Sequence, residues 1–305
     1  MARKILGQGY RAAHGFLHAT LKYNPWVPKV RHGRPVAYGF ISEEHLADPA
    51  LDDQLASQIV EAGAPVEDYR IDVEGYHTYL REANYPRAYH GGGLVEGLNF
   101  PEKSLEHFVS AQVLELGPDD IYMDVAADRS PFVDIVKRLW KPRQAYRQDL
   151  GYEEGVHGER IGGSAGSLPL PDNSITKAAL HCSLEHFEGA SDMEMFREMG
   201  RVLAPGGRLC VLPFYLAREY TIHTDPIHTL FFGRDVTFDP EARIRYCRWT
   251  NRHSRHYDPA RLRSRILANL GGLTPKVLRV RNFREVHRTC YLRFVGLFEK
   301  PTSHD

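Results

Sequence analysis

The sequence predicts an α/β protein built on an open, mostly parallel sheet of seven strands, with helices on both faces and a terminal antiparallel hairpin. Three observations carry this prediction. In the last two-thirds of the chain, short apolar runs typical of buried strands alternate with amphipathic helical segments. Turn and helix-start signals separate them, for example at Ser130-Pro131 and Pro205-Gly206-Gly207. Two final β-rich runs, Pro275–Phe283 and Thr289–Glu299, suit an antiparallel pair that closes such a sheet.

The elements follow in order along this part of the chain. Helices are predicted at Lys103–Leu116, from Ser130 as N-cap and Pro131 as first helical residue, at Asp192–Leu203, and from Asp258-Pro259. Strands are predicted at Asp120–Ala126, Gln144–Leu150, Arg160–Ser164, Ile175–Cys182 and Arg208–Tyr215. Gly151–Arg160 is too short and too rich in glycine for a helix, and a loop at the ligand edge is expected there.

Residues 1–102 differ and are predicted to be an accessory segment, leaving residues 103–305 as the sheet-forming domain. A basic amphipathic helix is predicted from Ile5 to Leu21, and packing on its own domain is favoured over a membrane-surface role. The following Tyr-, Pro- and Gly-rich loops end in Gly91-Gly92-Gly93 and indicate a cover over a ligand site.

The composition supplies enough apolar material for a full core and no net charge. Of 305 residues, 42% are hydrophobic, and Lys+Arg and Asp+Glu balance at 39 each. This balance gives no global field that would steer the protein onto nucleic acid or an anionic membrane. The four cysteines form no CxxC pair, no apolar run approaches the roughly 18 residues of a membrane span, and no secretory signal is recognisable. We therefore expect a cytoplasmic protein with reduced thiols.

Two stretches carry a family resemblance. The run LPLPDNSITKAALHCSLEHFEG, followed by FREMGRVLAPGGRLCVLPFY, resembles the fourth-strand, helix and fifth-strand region of class I S-adenosylmethionine-dependent methyltransferases, especially the small-molecule group. The resemblance covers about Lys103–Lys300. It implies a Rossmann-like sheet, S-adenosyl-L-methionine as the cofactor, and a site at the carboxyl edge of the strands.

The cofactor loop departs from the family pattern. Relatives read D-x-G-x-G-x-G, whereas this chain reads Asp124-Val125-Ala126-Ala127-Asp128-Arg129-Ser130 without a glycine. Alanine and serine are small, and Asp tolerates the left-handed conformation better than most residues. The resemblance thus makes Asp124, Ala126, Asp128 and Ser130 candidate cofactor residues, with binding impaired or altered.

Two further landmarks belong to the cofactor site that the resemblance implies. Asp149 ends the second strand, where relatives use an acid to accept hydrogen bonds from both ribose hydroxyls. The alternative is an Asp in an ordinary strand-to-loop turn. Ser164 and Ala165 stand where relatives have G-D-A, and the Ser164 hydroxyl would accept a weaker bond from the adenine amino group.

Acceptor chemistry is expected after the fourth predicted strand, at His181, Glu185 and His186. Methyl transfer to an alcohol needs a base, and we predict His181 for this role, with Glu185 orienting it or taking the proton itself. For His186, a contact with substrate is weighed against the favoured alternative that it merely opens the next helix.

A second polar group is His223, Asp225 and His228, in an H-x-D-x-x-H pattern. A metal site is weighed there and not favoured, because Pro226 interrupts the helix that would align the ligands, so contacts with substrate are predicted instead. A basic, aromatic-bearing run from Arg243 to Arg265 favours a solvated face or an anionic-substrate contact over RNA binding.

The sequence therefore predicts S-adenosylmethionine-dependent methyl transfer to an oxygen of a small molecule or a glycan. The first alternative is a catalytically inactive methyltransferase-like protein with a binding or structural role, argued from the missing glycines. The second is a nucleotide-sugar or dinucleotide enzyme, which the absence of a G-x-G-x-x-G turn disfavours. No resident metal is predicted, and the oligomeric state is left open.

Overall fold

A computed structural model of the protein describes residues 50–86, 89, 100–224, 236–246 and 252–302. The strands are β1 Val66–Tyr69, β2 Ile121–Val125, β3 Gln144–His157, β4 Arg160–Gly162, β5 Ile175–His181, β6 Leu203–Leu212, β7 Thr221–Thr224, β8 Arg243–Tyr246, β9 Ser254–His256, β10 Thr274–Val280 and β11 Phe294–Glu299. The helices are α1 Ala50–Ala62, α2 Val73–Ala83, α3 Phe100–Leu114, α4 Phe132–Leu139, α5 Ser191–Val202, α6 Pro259–Arg261 and α7 Phe283–Val286. No helix in these ranges has the length and apolar character that a membrane crossing needs.

The main sheet has the order β1-β10-β11-β6-β5-β2-β3-β4. All neighbouring strands run parallel except β11, which is antiparallel to both β10 and β6. The predicted fold class is thereby confirmed, including the terminal antiparallel pair. A separate three-stranded sheet has the order β8-β7-β9.

The main sheet has one strand more than the sequence predicts. The additional strand, β1, comes from the segment predicted to be a cover, and it pairs in parallel with β10, Val66 facing Val277 and Tyr69 facing Val280. Its sequence, Val-Glu-Asp-Tyr, has two charged residues in four and no apolar run, so no local pattern indicates a strand.

Both faces of the sheet are covered, and the strands alternate between two apolar clusters. On β2, Tyr122 packs into one cluster and Met123 into the other, and Ala179 and Leu180 do the same on β5. All four side chains are fully buried. This burial on both sides explains why these strands appear in the sequence as continuous apolar runs rather than as alternating ones.

Helix starts follow the capping rules with one shift. At α6, Asp258 Oδ1 accepts a hydrogen bond from Arg261 N at 2.7 Å, as an N-cap should, and Pro259 is the first helical residue. At α4, Ser130 Oγ accepts from Phe132 N at 3.2 Å, and the helix begins at Phe132, one residue later than predicted.

The stretch predicted as a loop at the ligand edge is an irregular extension of β3. Residues Glu154–His157 pair with β4 after a shift in register. Gly162 makes this path possible, because a Cβ at that position would lie 1.8 Å from Glu153 O. The extension stands between regular β3 and β4 in place of a helix, while Gln148, in the first half of β3, pairs with Val125 at the carboxyl end of β2.

Candidate cofactor and acceptor site

A cavity of about 830 Å³ opens at the carboxyl ends of β2, β3 and β5. Its volume lies in the upper part of the roughly 300–1,000 Å³ range of small-molecule sites. Open parallel sheets bind their ligands at this edge. Its wall includes every predicted cofactor residue and two of the predicted acceptor-site residues: Asp124, Ala126, Asp128, Ser130, Asp149, Ser164, Ala165, His181 and His186. Pro86 and Tyr89, from the predicted cover, also line it.

The loop between β2 and α4 contains no glycine, yet two of its residues have the left-handed backbone conformation that glycine usually adopts. Ala126 has a φ of 53° and Asp128 a φ of 40°, so both lie in the left-handed region. These are the positions of the first two glycines in the family pattern. The left-handed region costs most L-residues roughly 1–2 kcal/mol, and Asp less than most. Such strain persists only where surrounding contacts hold it.

Gln148 and Asp149, at the end of regular β3, supply those contacts. Gln148 Oε1 accepts from Ala126 N at 3.1 Å, while its Nε2 donates to Gly163 O at 2.6 Å. Asp149 Oδ2 accepts from Asp128 N at 2.9 Å. Sequence reasoning missed Gln148. A polar residue inside a predicted buried strand is a usable signal of such a contact, because a buried amide needs hydrogen-bond partners.

Asp149 keeps unused acceptor capacity. Its Oδ1 accepts from Gly151 N at 2.7 Å, so each carboxylate oxygen has one backbone partner. A carboxylate offers about four lone-pair positions, which leaves one on each oxygen for hydroxyls in the cavity. Leu150, the next residue, is 76% exposed and lines the cavity. An apolar side chain beside a carboxylate suits a base joined to a diol.

Ser130 and Ser164 each bond the local backbone through their side chains. Ser130 Oγ accepts from Phe132 N at the start of α4, and Ser164 Oγ accepts from Gly166 N at 3.1 Å. Ser130 Oγ also lies 3.5 Å from His107 Nε2, whereas the Ser164 hydroxyl hydrogen is left to donate elsewhere. Ala165 is 5% exposed and forms part of the cavity wall.

His181 has both ring nitrogens in contact with protein groups. Nδ1 lies 2.9 Å from Asp124 Oδ1, and Nε2 lies 2.8 Å from Ser110 Oγ. Ser110 donates its one hydrogen to His107 O at 2.9 Å, so in this arrangement His181 Nε2 donates to Ser110. The ring links β2, β5 and α3 and offers no lone pair to the cavity. Its role as a base stays a prediction that these contacts do not favour.

Glu185 and His186 lie on a 3₁₀ turn, Leu184–His186, directly after β5. His186 Nδ1 is 2.6 Å from His253 O, and Nε2 is 3.6 Å from Glu185 Oε1. The His186 side chain is 49% exposed and lines the cavity, whereas that of Glu185 is 1% exposed and stays behind the wall. The two residues are thus adjacent but differ in access to a ligand.

His223 lies in the small sheet and is not part of the cavity wall. It is 4% exposed, and its ring stacks on His256 at 4.2 Å. Burial, with a smaller effect of Arg245, lowers the pKa of His223 to about 3. The other two members of this predicted group, Asp225 and His228, lie outside the described residues. Within the described ranges, no set of three or more His, Cys, Asp or Glu side chains is arranged to hold a metal ion.

A buried acidic cluster behind the cavity escaped sequence reasoning. Glu102 and Glu106 lie one turn apart on α3 and are 1% and 0% exposed. Cys182 Sγ donates to Glu106 Oε1 at 3.0 Å, and Lys103 Nζ is 3.7 Å from Glu106 Oε2. Burial raises the pKa of Glu106 to about 7 and that of Glu102 well above its usual range. Lys103 and Cys182 face the cavity. The sequence signal for this cluster is the pair of acids at i and i+4 in an otherwise apolar helix, since that spacing places them on one face.

The basic run is partly internal, so the expectation of a solvated face is wrong for Arg255 and Arg265. Arg255 Nη1 lies 2.9 Å and Arg265 Nη2 2.6 Å from the two carboxylate oxygens of Asp192. Tyr257 OH donates to the same carboxylate at 2.8 Å. The side chains of Asp192 and Arg255 are 0% exposed. These residues join the small sheet to the start of α5, so the side chains of Arg255 and Arg265 are used within the protein.

One family model matches the central part of the chain. Residues 133–211 match the family model described as a methyltransferase domain. This part of the chain, 79 of its 305 residues, is therefore similar to a methyltransferase domain. The matched span runs from α4 to β6 and contains Asp149, Ser164, His181 and His186. A methyltransferase domain of this class implies S-adenosylmethionine as the methyl donor.

Two solved methyltransferases are similar to this chain at low identity. The 1,6-didemethyltoxoflavin-N1-methyltransferase of Burkholderia thailandensis is 15% identical with a TM-score of 0.43, over 78% of this chain and 94% of that chain. An S-adenosylmethionine-dependent methyltransferase from Mesorhizobium loti is 14% identical with a TM-score of 0.41, over 64% of this chain and 98% of that chain. No curated protein matches the chain in sequence.

The residues of the methyltransferase domain fit the chemistry of this cofactor. Asp149 has free acceptor positions for a diol, and Leu150 presents an exposed apolar surface. Asp124 Oδ2 is buried without a hydrogen-bond partner, although Asp124 lines the cavity. An unpaired buried carboxylate oxygen is costly, and a cationic donor such as an amino acid's ammonium group would satisfy it.

Proposed function

We propose that this protein binds S-adenosylmethionine in the cavity and transfers its methyl group to an oxygen of a small molecule or glycan. The observation that carries the proposal is the left-handed backbone of Ala126 and Asp128. The loop keeps the two conformations that glycines serve in this family, although both carry side chains. Retention of a strained backbone fits a functional role.

Each part of the cofactor has a candidate partner. Asp149 would accept hydrogen bonds from the ribose hydroxyls, and Leu150 would pack against the base. Ser164 would bond the edge of the adenine, and Asp124 Oδ2 would accept from the ammonium of the methionine part. When bound, the cofactor supplies an electrophilic methyl group on a sulfonium, and the chain's task is to orient the acceptor and exclude water.

The acceptor would occupy the remaining wall of the cavity. Lys103, Cys182 and His186 lie there, and Tyr89 of the predicted cover closes the same space. This wall presents an ammonium, a thiol and an imidazole, which suits a polar acceptor. A small molecule or glycan is preferred over nucleic acid because Arg255 and Arg265 are used internally. Free Cys182, Cys210 and Cys290 support a cytoplasmic location.

A second candidate is a methyltransferase-like protein that no longer binds cofactor. The observation in its favour is that backbone N–H groups of Asp128 and Gly151 already occupy both oxygens of Asp149. If those bonds prevent the carboxylate from accepting from ribose, the loop is only a structural link. The two candidates differ in one property, the affinity for S-adenosylmethionine.

A thermal-shift comparison separates these functions from each other and from a dinucleotide or nucleotide-sugar enzyme. S-adenosylmethionine and S-adenosylhomocysteine should each raise the melting temperature, because a ligand that binds only the folded state stabilises it. NAD and a nucleotide sugar should leave it unchanged. No shift with either sulfur ligand at millimolar concentration would exclude the enzyme, and a shift with NAD alone would favour the dinucleotide reading.

A further inference from the structure

We propose that His186, rather than His181, accepts the proton of the acceptor hydroxyl, with Glu185 as a positioning residue that stabilises the resulting charge. This inference rests on the proposed methyl transfer. The acceptor's O–H bond breaks as its oxygen bonds the methyl carbon, and the proton moves to His186 Nε2. The electrons of the broken carbon–sulfur bond stay on sulfur, so the step needs no further reactant. The acceptor class is one whose nucleophile must lose a proton, such as a hydroxyl.

The first argument is the tautomer of His186. Its Nδ1 lies 2.6 Å from His253 O, a carbonyl oxygen that can only accept. Nδ1 therefore carries a hydrogen, and in the neutral ring the lone pair is on Nε2. With a side chain 49% exposed on the cavity wall, that lone pair is accessible to an acceptor. A base needs this orientation before its basicity matters.

The second argument is the charge that faces the ring. Glu185 Oε1 lies 3.6 Å from His186 Nε2, and Glu185 Oε2 is buried without a hydrogen-bond partner. Glu188, on the same wall, forms an ion pair with Arg252, whose Nε lies 2.5 Å from Glu188 Oε1. Burial lowers the pKa of His253 to about 4, so that ring is neutral near pH 7. Glu185 thus places a carboxylate beside His186 Nε2, and Lys103 is a cation on the same cavity wall. An ionised carboxylate at this distance would stabilise the imidazolium formed when the proton arrives.

The third argument is the contrast with His181. That side chain is 6% exposed, and Asp124 and Ser110 contact its two nitrogens. Taking a proton from an acceptor would require one of these contacts to break. His186 needs no such rearrangement, because its only direct protein partner on Nδ1 stays in place throughout the step.

The test uses the intact protein with ¹⁵N-labelled histidine, and His186→Gln assigns the His186 signals. In its neutral form, the His186 ring should carry its hydrogen on Nδ1. Diethyl pyrocarbonate, which attacks an unprotonated imidazole nitrogen, should modify His186 at least about tenfold faster than His181, as followed by peptide mass spectrometry. A ring with hydrogen on Nε2, or faster modification of His181, would overturn the inference.

The positioning role of Glu185 has its own readout. Glu185→Gln removes the carboxylate beside Nε2, so the pH profile of His186 modification should move towards lower pH. Glu74→Gln, the same change in the first turn of α2, is the matched control and should not alter the profile. An unchanged profile in Glu185→Gln would exclude the positioning role. Both outcomes are independent of cofactor binding, so a failure here is distinguishable from failure of the proposed function.

Discussion

The two neighbouring alanines of the cofactor loop allow a matched test of backbone strain. Ala126 has a φ of 53°, and Ala127, whose φ is not positive, is 6% exposed. Replacing Ala126 with Gly relieves roughly 1–2 kcal/mol of left-handed strain but adds about 0.4–1 kcal/mol of unfolded-chain entropy. The net effect should lie between no change and about 1.6 kcal/mol of stabilisation.

Ala127→Gly has the same entropic cost without relief of strain. It also removes a buried methyl group, worth about 0.8 kcal/mol, so a loss of about 1–2 kcal/mol is expected. The two variants should therefore differ by roughly 2 kcal/mol in the free energy of unfolding, which urea denaturation with a common slope resolves. Equal effects of the two substitutions, or a larger loss in Ala126→Gly, would refute the assignment of strain to Ala126.

Two further predictions concern the buried charges. Glu106 has a pKa raised from 4.5 to about 7, so its stabilising contribution is full below about pH 4.5 and is lost as pH rises through 7. The loss is about 3 kcal/mol in the free energy of unfolding. Glu106→Gln should remove this loss, so its unfolding free energy should change less between pH 5 and pH 8 than that of the wild type. An equal change in the variant and the wild type would show that Glu106 is not the source of the pH dependence. Asp192→Asn should destabilise the fold by about 3–5 kcal/mol, because Arg255 would stay buried without its full counter-charge, and a change below about 1 kcal/mol in urea unfolding would argue against that pairing.

The sequence could predict most of the main sheet because local patterns mark its strands. β2, β5 and the second half of β6 are rich in apolar residues, and the start of α6 has its cap and proline in adjacent positions. β1 could not be found this way. Its four residues contain two charges, and only pairing with β10, far along the chain, makes them a strand.

In the candidate site, too, features marked by local sequence could be predicted and features that depend on distant contacts could not. The candidate cofactor residues come from the family resemblance, and the structure places them around one cavity. The orientations of His181 and His186 could not be found, since they depend on distant partners: Ser110 is 71 residues from His181, and His253 is 67 residues from His186. The left-handed backbone of Ala126 was likewise hidden, because alanine gives no local signal for positive φ.

The central claim is that the glycine-free loop and Asp149 hold the cofactor, and calorimetric titration with S-adenosylhomocysteine tests it most directly. The wild-type protein should bind, and Asp149→Ala should weaken binding by roughly tenfold or more, about 1.4 kcal/mol per decade. Asp119→Ala, in a residue whose side chain is 99% exposed and outside the cavity wall, is the matched control and should bind as the wild type does. Absence of binding heat in the wild type, or equal affinity in Asp149→Ala with the fold intact, would contradict the account.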